Sequence, residues 1–300
     1  MKTFFTIIIC LAVAGFMYAA SNTATISTTG NANSASASQT GSGNGASIEQ
    51  IANTSSAYQI QDGTGNVADL DQKGGWPAGS TVVGETGAQE QHGNSNQATL
   101  LQLANENEGG NDARQYQEGN SNKATAWQYT GSSKTYQDQI GNSNVANSFQ
   151  VGYNGYVQQY QTGTGNSAFV DEQGGGDGNS AIEKQTGVNN KANIVQYGTG
   201  AAKTALGNSA EINQAGDNNK TGDGYYNQYD WGIYQQGNFN TAFVNQNLNA
   251  NLSDVDQIGD SNNAVINQTG DTGAFSAFVN SATVMQNGNG NSANVNQTYP

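Results

Sequence analysis

QEGNSNKATAWQ, residues Gln117–Gln128, is one copy of a pattern that runs through most of the chain. QHGNSNQATLLQ (Gln91–Gln102) and QIGDSNNAVINQ (Gln257–Gln268) are two others. The shared grammar is Q-x-G-x-x-N-x-A-x-x-x-Q. It opens at Gln39, Gln61, Gln91, Gln117, Gln139, Gln161, Gln185, Gln214, Gln235, Gln257 and Gln286, most often 22 residues apart. A glycine stands two residues after every opening glutamine. An asparagine stands five after it: Asn44, Asn66, Asn96, Asn122, Asn144, Asn166, Asn190, Asn219, Asn240, Asn262 and Asn291. Alanine follows at seven except where Thr221 replaces it. Glutamine closes the unit at Gln50, Gln72, Gln102, Gln128, Gln150, Gln196, Gln246, Gln268 and Gln297, with Glu172 and Tyr225 as the exceptions. Self-similarity at a fixed period is the mark of a repeat architecture.

Each unit reads as two strands. In the second, Asn-x-Ala-x-Φ-x-Gln, every other residue keeps one character, and Φ is Ile48, Leu70, Leu100, Val170, Ile194, Val244, Ile266 or Val295. Residues between them vary freely, as Asp69 and Asp71 or Thr125 and Trp127 do. One fixed face and one free face describe a strand with an inside and an outside. The first strand uses the same grammar, as in Asn33-x-Ala35-x-Ala37-x-Gln39, with Gln59, Gln89, Gln115, Gln137 and Gln159 in the aliphatic position of the middle copies. The x-Gly-x-x-Asn segment reads as a tight corner, glycine supplying positive φ and asparagine tolerating the left-handed region. The predicted fold is all-β: a parallel two-sided β-solenoid of about eleven 22-residue strand–turn–strand coils. The larger insertions, such as Lys73–Ala88 and Tyr197–Gly207, are expected to bulge from one corner and leave the stack intact.

The inward glutamines and asparagines demand a reason, because a buried primary amide left unpaired costs several kcal/mol. Identical amides stacked one strand spacing apart satisfy one another, each oxygen meeting an N–H from the next coil. All the motif glutamines and asparagines named above are therefore expected to form structural amide ladders that also set register. The last unit closes at Gln297, three residues before Pro300, with no capping helix in view. Open end coils are expected to template further copies.

Composition narrows the functional classes. Of 300 residues, 40 are glycine, 34% are hydrophobic and 11% are charged, too little apolar content for an ordinary globular core. On composition alone the chain reads as prion-like low complexity, and it is the spacing that argues otherwise. A net charge of −14 argues against nucleic acid as a partner and against binding to an anionic membrane. Residues 1–20 read as a secretion signal: Lys2, an apolar run from Phe4 to Phe16, then small Ala19 and Ala20. That run is too short to span a bilayer, so no membrane insertion is expected after processing. Cys10, the only cysteine, lies within it; Ile9 before it fits a lipoprotein site poorly. Residues 21–32 are expected to be a flexible segment and residues 33–300 the solenoid.

The pattern Q-x-G-x-x-N-x-A-x-x-x-Q, with Ser55, Ser133 or Asn179 six residues before an opening glutamine, resembles the curlin repeat of curli fibre subunits. The resemblance covers about residues 33–297. It implies a secreted bacterial subunit that crosses the periplasm unfolded, leaves through a dedicated outer-membrane secretion pore and polymerises on the cell surface as functional amyloid. A nucleating subunit would accompany it, and the fibres would serve biofilm matrix and adhesion. Two departures stand out: eleven repeats where well-known curlins have about five, and a Ser/Thr-rich Ser21–Asn33 where a Gly/Asn-rich export segment is expected.

Other chemistries find little support. His92, the only histidine, stands at a variable corner position and reads as solvated; HExxH needs two histidines and no cysteine remains after processing for a Cys-His pair, so no enzyme is expected. Gly/Asp corners at Gly174–Gly178 and Gly222–Gly224 invite a calcium reading, but the aspartates are sporadic and no cofactor is expected. Trp127, Phe149, Phe169 and Phe243 fall on free positions, open to lateral contact or adhesion. The alternative to a fibre subunit is a monomeric secreted β-solenoid adhesin or binding module.

Overall fold

A computed structural model describes residues 21–51, 53–74, 84–104, 110–129, 131–174, 178–198, 207–222, 232–270 and 280–299. The signal region expected at 1–20 lies outside these residues, as does most of each large insertion. The described chain is all-β and winds between two parallel sheets. The first sheet contains Thr23–Thr29, Gly45–Ile51, Val67–Gly74, Gln97–Ala104, Lys123–Tyr129, Val145–Val151, Ser167–Gly174 and Lys191–Gly198, then Lys220–Thr221 with Ile233–Gln236, Asn251–Ile258 and Asn280–Asn287. The second sheet contains Ser34–Ser42, Ser56–Thr64, Thr86–Asn94, Asp112–Asn120, Lys134–Asn142, Tyr156–Thr164, Ser180–Val188, Ser209–Ala215, Thr241–Asn247, Asn263–Thr269 and Ser292–Thr298. Successive coils stack in register, like over like: Gln117 pairs with Gln139 and Gly119 with Gly141. At one strand spacing per coil, eleven layers make a rod roughly 50 Å long. The chain is thus a parallel two-sided β-solenoid.

Alternation decides what is inside. Lys134–Asn142 runs exposed, buried, intermediate, buried, intermediate, buried, with Thr135, Gln137 and Gln139 inward. The core has two apolar clusters. One holds Ile48, Ala57, Leu70, Leu100, Ala113 and Ala126; the other runs from Val157 and Val170 through Ile194, Ile212 and Ile233 to Ile266 and Val284.

The structure departs from the sequence reading in three places. Within 21–32, expected to be flexible, Thr23–Thr29 is a first-sheet strand with Ala24 over Ala46 and Ile26 over Ile48. Its Asn22-x-Ala24-x-Ile26 carries the inward set of every other strand, and only Thr28 breaks it. Secondly, at the corners the left-handed residue is not the motif asparagine but the one before it, which is itself an asparagine at Asn189 and Asn218. Gly119 has φ 110° and Ser121 has φ 58°, while Asn122 is buried and outside that region. The glycine is required by close approach: a Cβ there would lie 2.0 Å from the carbonyl oxygen of Gly141.

The third departure is a change of phase. One insertion does not sit at a corner; the chain leaves the first sheet after Lys220–Thr221 and rejoins the same layer at Ile233–Gln236. Thr221 and Gln235 therefore belong to one strand, and Gln235 takes the closing place that the motif gave to Tyr225. From there on, the residues read as openers stack with closers. Gln235, Gln257 and Gln286 continue the row of Gln196, while Gln246, Gln268 and Gln297 continue the row of Gln214. The slip is possible because the two half-turns share one grammar.

Candidate functional site: the amide ladders

The second sheet carries one unbroken row of glutamines: Gln39, Gln61, Gln91, Gln117, Gln139, Gln161, Gln185, Gln214, Gln246, Gln268 and Gln297. Each donates Nε2–H to Oε1 of the next. The distance is 2.8 Å from Gln117 to Gln139 and from Gln139 to Gln161, and 3.0 Å from Gln246 to Gln268. The second N–H crosses the core to a first-sheet carbonyl: Gln117 reaches Gln97 O at 3.0 Å and Gln139 reaches Lys123 O at 3.0 Å. Both donors and the oxygen of each amide are thereby used, and the same bonds tie sheet to sheet as well as coil to coil.

The first sheet has the matching row Gln50, Gln72, Gln102, Gln128, Gln150, Glu172, Gln196, Gln235, Gln257 and Gln286. Gln72 donates to Gln102 at 2.8 Å, Gln128 to Gln150 at 3.1 Å and Gln257 to Gln286 at 2.8 Å. Thr28 stands where a preceding glutamine would be, so Gln50 Oε1 is buried without a partner.

The asparagines do something different. Along Asn44, Asn66, Asn96, Asn122, Asn144, Asn166, Asn190 and Asn219, the side-chain Oδ1 accepts the backbone N–H of the next asparagine, as in Asn144 N to Asn122 Oδ1 at 3.0 Å. Nδ2 staples the corner, Asn122 donating to Glu118 O at 3.2 Å and to Gly141 O of the next coil at 2.8 Å. Asn251 and Asn280 complete this row. Asn240, Asn262 and Asn291 lie at the opposite corner, after Asn208, because of the phase change.

The motif left out further inward residues. Gln59, Gln89, Gln115, Gln137 and Gln159 form a third row of bonds, 2.7 to 2.8 Å long. Three carboxylates are also inside: Glu85, Glu172 and Glu183. Glu183 was legible as the Gln159 position of Asn179-x-Ala181-x-Glu183-x-Gln185. Glu85 was legible as the position of Ser55 and Ser133. Burial raises all three pKa values, Glu85 to about 8. The acceptor set offers a metal little: among the described residues no three His, Cys, Asp or Glu cluster. On the outer face Trp127 and Phe149 meet edge to face, ring centroids 4.8 Å apart, and Phe149 and Phe169 stand 6.1 Å apart.

The arrangement amounts to a zipper of self-complementary layers. Each coil presents on one side the N–H donors that its other side accepts. No curated protein matches the chain significantly. Residues 19–51 match the family model of the curlin associated repeat.

Proposed function

We propose that the chain is a secreted structural subunit of extracellular, curli-like functional amyloid fibres. It polymerises by coil-on-coil stacking, with a nucleating subunit and an outer-membrane pore as partners, and the fibres serve biofilm matrix and surface adhesion. One observation supports this most: the two terminal layers match in register and in donor direction. Asn280, Ala282 and Val284 would lie over Asn22, Ala24 and Ile26. Asn291, Ala293 and Gln297 would lie over Asn33, Ala35 and Gln39. Gln39 has no glutamine before it to accept from, and Gln297 none after it to donate to. The inward residues of Ser34–Ser42 and Ser292–Thr298 are half-exposed where their counterparts in other coils are buried. Every glutamine of the second-sheet row from Gln39 to Gln268 donates toward the C-terminal end, so copies joined head to tail pair donor with acceptor. Copies joined end to like end would oppose oxygen with oxygen at the N-terminal faces, or N–H with N–H at the C-terminal faces.

The test is assembly of the processed chain. Growth after a lag, loss of the lag on seeding and a cross-β reflection near 4.8 Å are expected. A soluble, monodisperse rod that persists for days at high concentration would exclude the fibre reading.

A further inference from the structure

One inward glutamine row is interrupted by a carboxylate and another ends at one, and the two carboxylates lie in adjacent layers. In the first sheet, Gln150 donates to Glu172 Oε2 at 3.1 Å, and Gln196 follows in register. Glu172 Oε1 and Gln196 Oε1 are both buried and both without a partner. Elsewhere in that row an N–H separates successive oxygens; here one acceptor follows another. In the second sheet, Gln159 donates to Glu183 Oε2 at 2.8 Å, Ile212 follows in register, and Glu183 Oε1 is likewise unpartnered.

This level is also where the rod changes character. The apolar cluster of Ile48, Leu70, Leu100 and Ala126 ends before it, and the cluster that begins with Val157 and Val170 continues beyond it. A cavity of about 10 Å³, bounded by Gln150, Gly155, Glu172 and Asn179, sits at the join. Among the described residues neither carboxylate has a cation against it. Glu172 faces Gln150 and Gln196 along the rod and Gly155 and Asn179 across the cavity. Its charged neighbour is Asp171, another acid, on the outer face. Glu183 faces Gln159, Ile212 and the backbone of Phe169, while Lys184 beside it reaches outward to Glu211 at 3.3 Å.

We propose that this level is a proton-gated joint, whose coils lock together when Glu172 and Glu183 are neutral and part when they ionise. A neutral Glu172 carries an O–H that can donate to Gln196 Oε1, completing the row as an amide would. Ionised, it sets a buried charge against a carbonyl-type oxygen with nothing between them. Desolvation, the largest effect at both residues, pushes both carboxyls well above the usual carboxylate range. The closed joint therefore holds protons that the open chain releases. Closure is fully favoured below the ordinary glutamate range and weakens as pH rises through the raised values. The joint concerns coils within one chain and stands whether or not copies polymerise.

The experiment is hydrogen exchange by mass spectrometry on the full processed chain at pH 5 and pH 8.5, corrected for intrinsic exchange. Wild type, Glu172→Gln, Glu183→Gln and a surface control, Glu211→Gln, are compared. In the wild type, protection of Ser167–Gly174 and Lys191–Gly198 is expected to fall tenfold or more between the two pH values, while Lys123–Tyr129 changes little. Glu172→Gln is expected to hold the low-pH protection of these strands at both values, and Glu183→Gln to do so for Ser180–Val188. Glu211→Gln should follow the wild type. Uniform protection in the wild type, an unchanged pH response in Glu172→Gln, or loss of protection in that variant at pH 8.5 would each overturn the proposal.

Discussion

Gln117 donates one N–H to Oε1 of Gln139 at 2.8 Å and the other to the backbone carbonyl of Gln97, across the core, at 3.0 Å. Two contacts of one nitrogen thus hold neighbouring coils and facing sheets. Gln139→Ala would strand the Gln117 N–H and the Gln161 oxygen in a dry interior. At about 1–3 kcal/mol for each orphaned group, the loss should be roughly 2–6 kcal/mol. Ile140, next along the strand, is 44% exposed. Ile140→Ala should change stability by roughly 0.5 kcal/mol or less. Urea denaturation of the two variants makes the comparison, and equal losses would argue against the ladder as the stabilising element.

Gly119→Ala is expected to be worse than either. The added methyl would lie 2.0 Å from Gly141 O, at a φ of 110° that a side chain rarely adopts. The obstacle is the backbone of the next coil, which cannot step aside without breaking register. Ser121 is exposed and sits in the left-handed region at φ 58°, so Ser121→Gly should be neutral or slightly stabilising. Circular dichroism and urea midpoints would register both, and a tolerated Gly119→Ala would mean that the corners pack less closely than they do here.

These two sites also mark what sequence can and cannot convey. The register of Gln117 over Gln139 was readable because an amide, an alanine and a glycine recur at fixed offsets, and each has a steric or hydrogen-bonding reason to face its own kind. The phase change after Thr221 was not readable as such. Both half-turns share one inward pattern, so a motif search that meets Tyr225 instead of a closing glutamine restarts at Gln235 without noticing that it has changed sheets. Thr23–Thr29 was hidden for a simpler reason: threonine at position 28 takes the place of the one residue type the pattern was built on. The buried Glu172 was visible as an exception, but only the missing N–H toward Gln196 shows what the exception means.

Glu85 should give the rod a pH dependence of its own. It is fully buried, faces Asn111 Nδ2 at 3.4 Å, and has a second oxygen without a partner. Burial raises its pKa to about 8, while the bond from Asn111 pulls weakly the other way. The folded chain therefore keeps a proton that the unfolded chain releases above its ordinary value near 4.5. Stability from this group is complete below that value, falls as pH rises toward about 8, and changes little above it. The slope within the window is at most about 1.4 kcal/mol per pH unit. Glu85→Gln should flatten the urea midpoint between pH 5 and pH 8 and raise it at pH 9.

If copies join head to tail, the end coils should not contribute equally. Gln297 would donate to Gln39, amide to amide, whereas Gln286 would meet Thr28, the position that already leaves Gln50 Oε1 unpaired. Gln297→Ala should therefore slow seeded elongation more than Gln286→Ala, by about tenfold for each 1.4 kcal/mol lost at the junction, within the range of one amide left unsatisfied. Asn294 points outward on the same terminal strand and is exposed. Asn294→Ala should elongate at the wild-type rate. The measurement is the initial rate of monomer addition to preformed seeds. Preparing seeds and monomer separately from variant and wild type assigns the defect to an end, since Gln297→Ala seeds should be blunted at the C-terminal face alone. Identical rates for Gln297→Ala and Asn294→Ala would place the growing contact elsewhere than the amide row.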